Sequence, residues 1–130
     1  MKQEIILIAE DNSVLRLALE EMLSIEGYVV LAAGNGQEAL SQMQMLTPDL
    51  IISDIAMPEM DGFTFFDQIR SNAEWLSIPF IFLTARGTKD DILTGKDLGA
   101  EDYLVKPLNR IELLTAVRSR LDRSQQLRVV

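Results

Sequence analysis

A chain of 130 residues with 48% apolar content is long enough for one domain with a substantial core. It holds no cysteine and no histidine, which excludes disulfides, thiolate and imidazole metal sites and imidazole base catalysis, so any metal must be bound through oxygen. With 20 acidic against 12 basic residues the formal charge is −8, which argues against a surface that grips nucleic acid or an anionic membrane.

The chain opens Met1-Lys2-Gln3-Glu4 and then runs apolar only over Ile5–Ala9 before two acids. That is shorter than the apolar region of about 7–15 residues in a secretory signal. No stretch reaches the roughly 18 apolar residues needed to cross a bilayer. The expectation is a cytoplasmic protein with no membrane partner.

Short apolar runs recur at Ile5–Ala9, Tyr28–Ala33, Leu50–Ser53, Phe80–Leu83 and Tyr103–Val105. They show little alternation and are too short for helices, which suits strands buried on both faces. Leu15, Ala18, Leu19 and Met22 fall at helical spacing between the first two runs, and Gly27 closes that helix. A second helix is predicted from Gln37 to about Met45, stopping before Thr47-Pro48. A third starts near Gly62 and ends around Asn72, with Ala73 to Pro79 as a loop. Thr88 and Asp91 have capping-box spacing for a fourth, which ends before Gly99 and is weakened by Gly95. Asn109 with Glu112 starts a fifth, which continues through Arg118 and Leu121. Strands alternating with helices imply a single α/β domain over residues 1–122, a parallel sheet covered on both faces. Residues 123–130 read as a frayed helix end, a tail or the start of a linker.

In an open parallel sheet, ligands bind beyond the carboxyl ends of the strands. The residues there are Glu10 and Asp11 after the first run, Asp54 at the end of the third, Thr84 at the end of the fourth and Lys106 after the fifth. Two carboxylates about 5 Å apart repel by roughly 3 kcal/mol at an effective dielectric near 20. Several in one pocket therefore need a cation or a shared proton. Mg²⁺, with Mn²⁺ as an alternative, suits an all-oxygen site. Glu10 and Asp11 could instead merely cap the first helix beside Asn12 and Ser13. Their convergence with Asp54 favours metal binding. Thr84 and Lys106 supply donors for the oxygens of a phosphoryl group, and a carboxylate can act as nucleophile toward one.

Asp54-Ile55-Ala56-Met57-Pro58-Glu59-Met60-Asp61-Gly62 resembles the phosphoacceptor segment of response-regulator receiver domains of two-component signal transduction. Gly99-Ala100-Glu101-Asp102-Tyr103-Leu104-Val105-Lys106-Pro107 resembles the fifth-strand segment of that family. Ile8-Ala9-Glu10-Asp11-Asn12 and Phe82-Leu83-Thr84-Ala85 are similar to its other two motifs. The motifs stand in the family's order across most of the chain. The resemblance implies a (βα)5 domain with the flavodoxin-like strand order 2-1-3-4-5.

The resemblance further implies that Asp54 takes a phosphoryl group from a phosphohistidine of a sensor histidine kinase or histidine phosphotransfer protein. Asp11 and Asp54 would bind Mg²⁺ directly, Glu10 through a metal-bound water, and Ala56 through its backbone carbonyl. Thr84, Ala85 and Lys106 would contact the phosphoryl oxygens, with Thr84 moving toward them after modification. Lys106-Pro107 resembles the family's cis peptide bond. Tyr103 resembles its switch aromatic, although packing over the fourth helix is an alternative, and the regulated face would be the fourth helix, fifth strand and fifth helix. Gly87 and Gly95 make that face a candidate for local rearrangement. Ala56 and Arg86 stand where the family varies and would tune the phosphoryl lifetime. Ala56 has no polar group to position water, and Arg86 either reaches the phosphoryl group or faces solvent.

Such a domain promotes its own phosphorylation and is not an enzyme acting on a free substrate. Its output would pass to an unknown effector or output domain, with no direct nucleic-acid contact, as a monomer or weak dimer. The competing readings are a phosphorylation-independent binding module on the same fold and a phosphohydrolase. The hydrolase is disfavoured because Ala56 stands where a second catalytic Asp is needed.

Overall fold

The computed structural model describes residues 3–85 and 102–129. Five parallel strands form one sheet: β1 (Ile5–Ala9), β2 (Val29–Ala33), β3 (Leu50–Asp54), β4 (Phe80–Thr84) and β5 (Asp102–Val105), in the order β2-β1-β3-β4-β5. Helices α1 (Ser13–Ile25), α2 (Gly36–Met45) and α3 (Gly62–Arg70) intervene, and a C-terminal helix spans Arg110–Val129. The expected doubly wound α/β fold and flavodoxin-like order are therefore present. The fourth helix expected after Thr88, with Arg86, Gly87, Asp91, Gly95 and Gly99, lies outside the described residues.

Alternate strand residues feed two cores. Ile6 and Ile8, Leu50 and Ile52, and Ile81 and Leu83 pack on one face against Leu19 and Leu23 of α1 and Leu113, Val117 and Leu121 of the C-terminal helix. Leu7, Ile51, Phe80 and Phe82 pack on the other against Met43 of α2 and Phe65, Phe66 and Ile69 of α3. Double burial explains the unbroken apolar runs of β1, β3 and β4. β2 departs from this expectation, because its first four residues are only partly buried. It is an edge strand, with a neighbour on one side alone.

Side-chain caps set the helix starts. Asn12 accepts from the amides of Val14 and Leu15, Asn35 from Glu38, and Asp61 from Thr64. Asn109 accepts from Ile111 and Glu112, as its spacing predicts. Gly27, at φ +96°, follows α1 in the left-handed conformation that glycine adopts freely. α3 ends earlier than expected, at Arg70, because Asn72 caps a short 3-10 turn (Ala73–Trp75) that buries Trp75. The C-terminal helix continues through Val129, so of the readings offered for residues 123–130 the structure shows the helix end.

One glycine ties this frame to the strand ends. Gly62 donates its N–H to the Ile55 carbonyl at 2.7 Å. A Cβ at Gly62 would collide with the Asp54 carbonyl oxygen and lie 2.8 Å from Ile55 Cα, backbone atoms that cannot yield as a side chain would. Gly62→Ala is therefore expected to destabilise the domain by about 2–3 kcal/mol, at the upper end for overpacking. Urea unfolding checks this, and an unchanged midpoint would show that the β3–α3 loop yields freely.

Candidate functional site

The parallel register brings the ends of β1, β3, β4 and β5 to one rim. Ala9 pairs with Ser53, Asp54 with Leu83, and Thr84 with Val105. Lys106 then donates its backbone N–H to the Thr84 carbonyl at 2.8 Å. Asp54 and Thr84 thus end adjacent strands at 5% and 2% exposure, with Lys106 one residue beyond β5. The Lys106–Pro107 peptide bond is cis.

Asn12 supplies the cap of α1, so Glu10 and Asp11 are not spent on that task. Glu10 turns inward and is completely buried, while Asp11 is exposed. Carboxylate oxygens of Glu10, Asp11 and Asp54 all lie within 4.8 Å of one another. Among the described residues this is the cluster whose donors could hold a metal ion, and every donor is oxygen.

Lys106 stands among these acids. Its Nζ donates to Asp54 Oδ2 at 2.8 Å and lies 2.8 Å from Glu10 Oε1, close enough for an ion pair though not aligned as a hydrogen bond. Asp54 Oδ1 accepts from the Ile55 N–H at 2.7 Å, so each oxygen of this carboxylate is tied down. Glu10 Oε2 accepts from the Asn12 N–H at 3.1 Å. Ser53 donates its hydroxyl to the Asp54 carbonyl, which fixes the backbone at the same point.

The electrostatics follow from burial. Burial pushes the Glu10 carboxyl above the ordinary carboxylate range, and the Asp54 charge adds to this, against the opposing pull of Lys106 and the Asn12 amide. For Lys106, burial pulls downward, but the contacts with Asp54 and Glu10 outweigh it and raise the ammonium above its ordinary 10.5. With its folded value raised, Lys106 contributes stability that is fully present below pH 10.5 and is lost as the pH rises through the folded value. Glu10 acts in the same sense at the acid end, since its folded value is also raised. Its raised value means the metal-free fold gains stability as the pH falls from the folded value toward 4.5.

Of the other residues singled out, Ala56 lies exposed in the β3–α3 loop and Ala85 is exposed just past β4. Tyr103 is half-buried, its ring stacked on Phe82 with centroids 5.9 Å apart. Arg86 lies outside the described residues. The direct pairing of Lys106 with Glu10 was not foreseen, since it depends on register across four strands. Nor was Arg16 of α1, whose Nη1 donates to the Glu10 carbonyl at 2.7 Å. A helical arginine carries no local signal of such a contact.

Lys106→Met keeps the aliphatic stem but leaves Glu10 and Asp54 without their cation. Breaking a partly buried pair of this kind is expected to cost about 2 kcal/mol in metal-free protein. Mg²⁺ should restore more of the variant's thermal midpoint than it adds to the wild type. Equal losses with and without Mg²⁺ would show that Lys106 does not neutralise the cluster.

A family model for the response regulator receiver domain matches residues 6–118. The "Probable transcriptional regulator ycf27" of Guillardia theta is 40% identical over 124 residues, covering 95% of this chain and 48% of the relative. The chain thus spans about half the length of the curated relatives it matches. The chemotaxis protein CheY4 of Vibrio cholerae superposes with a TM-score of 0.86 at 33% identity, covering 91% of this chain and 98% of that one. The receiver domain of a Pseudomonas aeruginosa sensor histidine kinase superposes at 0.85 and 30% identity, covering 93% and 99%, and carries a magnesium ion coordinated in its active site cleft. With its motifs, strand order and acidic rim, the chain belongs to the response regulator receiver domain family.

Proposed function

We propose that this receiver domain accepts a phosphoryl group on Asp54 from a phosphohistidine of a sensor histidine kinase or phosphotransfer protein. The observation that carries the proposal is the convergence of three carboxylates within 4.8 Å with an ammonium 2.8 Å from two of them. In the transfer, an oxygen of the Asp54 carboxylate attacks phosphorus, the P–N bond of the phosphohistidine breaks, and the electron pair returns to the imidazole. No proton need be taken from the nucleophile, so the absence of histidine from this chain is no obstacle.

The site's own groups position and neutralise. Ile55 N–H and Lys106 hold the carboxylate in one orientation. Asp11 and Asp54 would hold Mg²⁺ directly, with Glu10 acting through a water and Ala56 through its carbonyl. When bound, Mg²⁺ would neutralise charge on the phosphoryl oxygens. The fit rests on the all-oxygen donor set and on a completely buried Glu10 whose Oε1 has no hydrogen-bond partner among the described residues. Lys106 and the Thr84 hydroxyl would then receive the phosphoryl oxygens, with Ala85 beside them.

The chain would act as a phosphorylated switch rather than as an enzyme turning over free substrate. Its output would pass through the end of β5 and the start of the C-terminal helix to an effector or an output domain. The curated relatives are about twice its length and are named as transcriptional regulators, which favours a nucleic-acid-binding partner domain over nucleic-acid binding by this acidic segment. Working location in the cytoplasm fits a chain in which no described helix is long and apolar enough to cross a membrane.

Wild type with Mg²⁺ and acetyl phosphate should gain one phosphoryl group by intact-protein mass spectrometry, and beryllofluoride should shift amide resonances around Asp54, Thr84 and Lys106. Asp54→Asn should show neither change. Phosphorylation of both proteins alike would place the acceptor elsewhere.

A further inference from the structure

We propose that Arg16 is a positioning residue for the acidic pair of the cation site: its guanidinium fixes the Glu10–Asp11 backbone so that the two carboxylates point at one locus. The inference rests on the Mg²⁺ reading above and extends it to a residue outside the carboxylate cluster. Glu10 and Asp11 are neighbours in the chain, yet one side chain is completely buried and the other is exposed. They converge on Asp54 only while the peptide between them keeps its orientation.

Two bonds set that orientation. The Glu10 N–H donates to the Ala33 carbonyl at 3.0 Å, continuing the β1–β2 ladder. The Glu10 carbonyl, past the last ladder pair at Ala9–Ala33, accepts from Arg16 Nη1 at 2.7 Å. Arg16 can reach back because Asn12 starts α1 immediately after the acids. Its own N–H bonds to the Asn12 carbonyl at 2.9 Å, in the first turn.

The guanidinium also lies near a third segment. A Cβ at Gly34, in the β2–α2 turn, would lie 3.6 Å from Arg16 Nη1 and 3.7 Å from Glu38 Oε2. Because position 34 is a glycine, the β2–α2 turn leaves room for the partly buried Arg16 side chain to reach the Glu10 carbonyl. Its planar fork suits such a bridge better than an ammonium would.

Charge and position predict opposite signs. As a cation bonded to the Glu10 carbonyl, Arg16 should if anything weaken Mg²⁺ binding, so removing it should leave binding unchanged or tighter if charge alone matters. If it orients the acids, removing it should loosen binding, as loss of an outer partner of metal ligands does, by about 10–100-fold.

The test is an amide NMR titration with MgCl2 of wild type, Arg16→Met and Arg16→Lys, beside metal-free thermal melts. Arg16→Met should raise the Mg²⁺ dissociation constant about 10-fold or more, with Arg16→Lys between it and the wild type. An unchanged or lower constant in Arg16→Met overturns the proposal, even where its melting point falls, because the role would then be merely structural. If Arg16→Met does not fold, Arg16→Lys decides: it keeps the charge but not the fork, and a wild-type constant overturns the proposal. A wild type with no saturable Mg²⁺ binding would overturn the metal reading itself, whereas a binding wild type beside an unaffected Arg16→Met would overturn only the role of Arg16.

Discussion

The ammonium of Lys106, held between Glu10 and Asp54, is the contact on which the rest of this structure depends. A fully buried glutamate beside a nearly buried aspartate would be expelled, protonated or unfolded without a neighbouring cation. Lys106 makes them tolerable but not neutral. Three carboxylates against one ammonium leave two negative charges at the rim, the charge that one divalent cation balances. Transfer of a phosphoryl group would replace the Asp54 charge by two and leave the metal-loaded site one charge more negative than before. That excess must be met by donors, and Thr84, at the end of the adjacent strand, carries one.

The framework can hold such a site because it is stiff where the acids stand. β1, β3 and β4 are covered on both faces, and the ladder runs to Asp54 and Thr84 themselves. Past the strands, three backbone positions of the rim are tied by hydrogen bonds. Glu10 is held by Ala33 and Arg16, Ile55 by Leu83 and Gly62, and Lys106 by Thr84. The loops that carry the chemistry are therefore anchored at the residue that matters.

Much of this was legible in the sequence. Unbroken apolar runs gave the buried strands, Asn109 gave a helix start, and the polar residue after each run gave the rim. What was not legible depended on position within the sheet. β2 has the composition of a buried strand, but edge placement exposes it, and no local pattern encodes an edge. The turn at Ala73–Trp75 is too short to leave a period, although Asn72 is the kind of residue that starts one. The Lys106–Glu10 pair joins residues 96 positions apart whose meeting depends on three strand registers.

The same short bonds bear on how a charge change at Asp54 would travel under the proposed reading. Lys106 contacts Asp54 through its side chain and Thr84 through its backbone, so neither can shift without straining the end of β5. Three residues earlier on that strand, Tyr103 lies on Phe82, which also meets Phe63 of α3 edge-on with centroids 5.1 Å apart. Between Lys106 and Tyr103, Val105 faces solvent, with Ile111 exposed on the helix that follows. A tightly packed interior passes small displacements on rather than absorbing them. The exposed end of β5 and the first turn of the C-terminal helix are thus where a change in charge at the rim would first reach a surface that a partner can read.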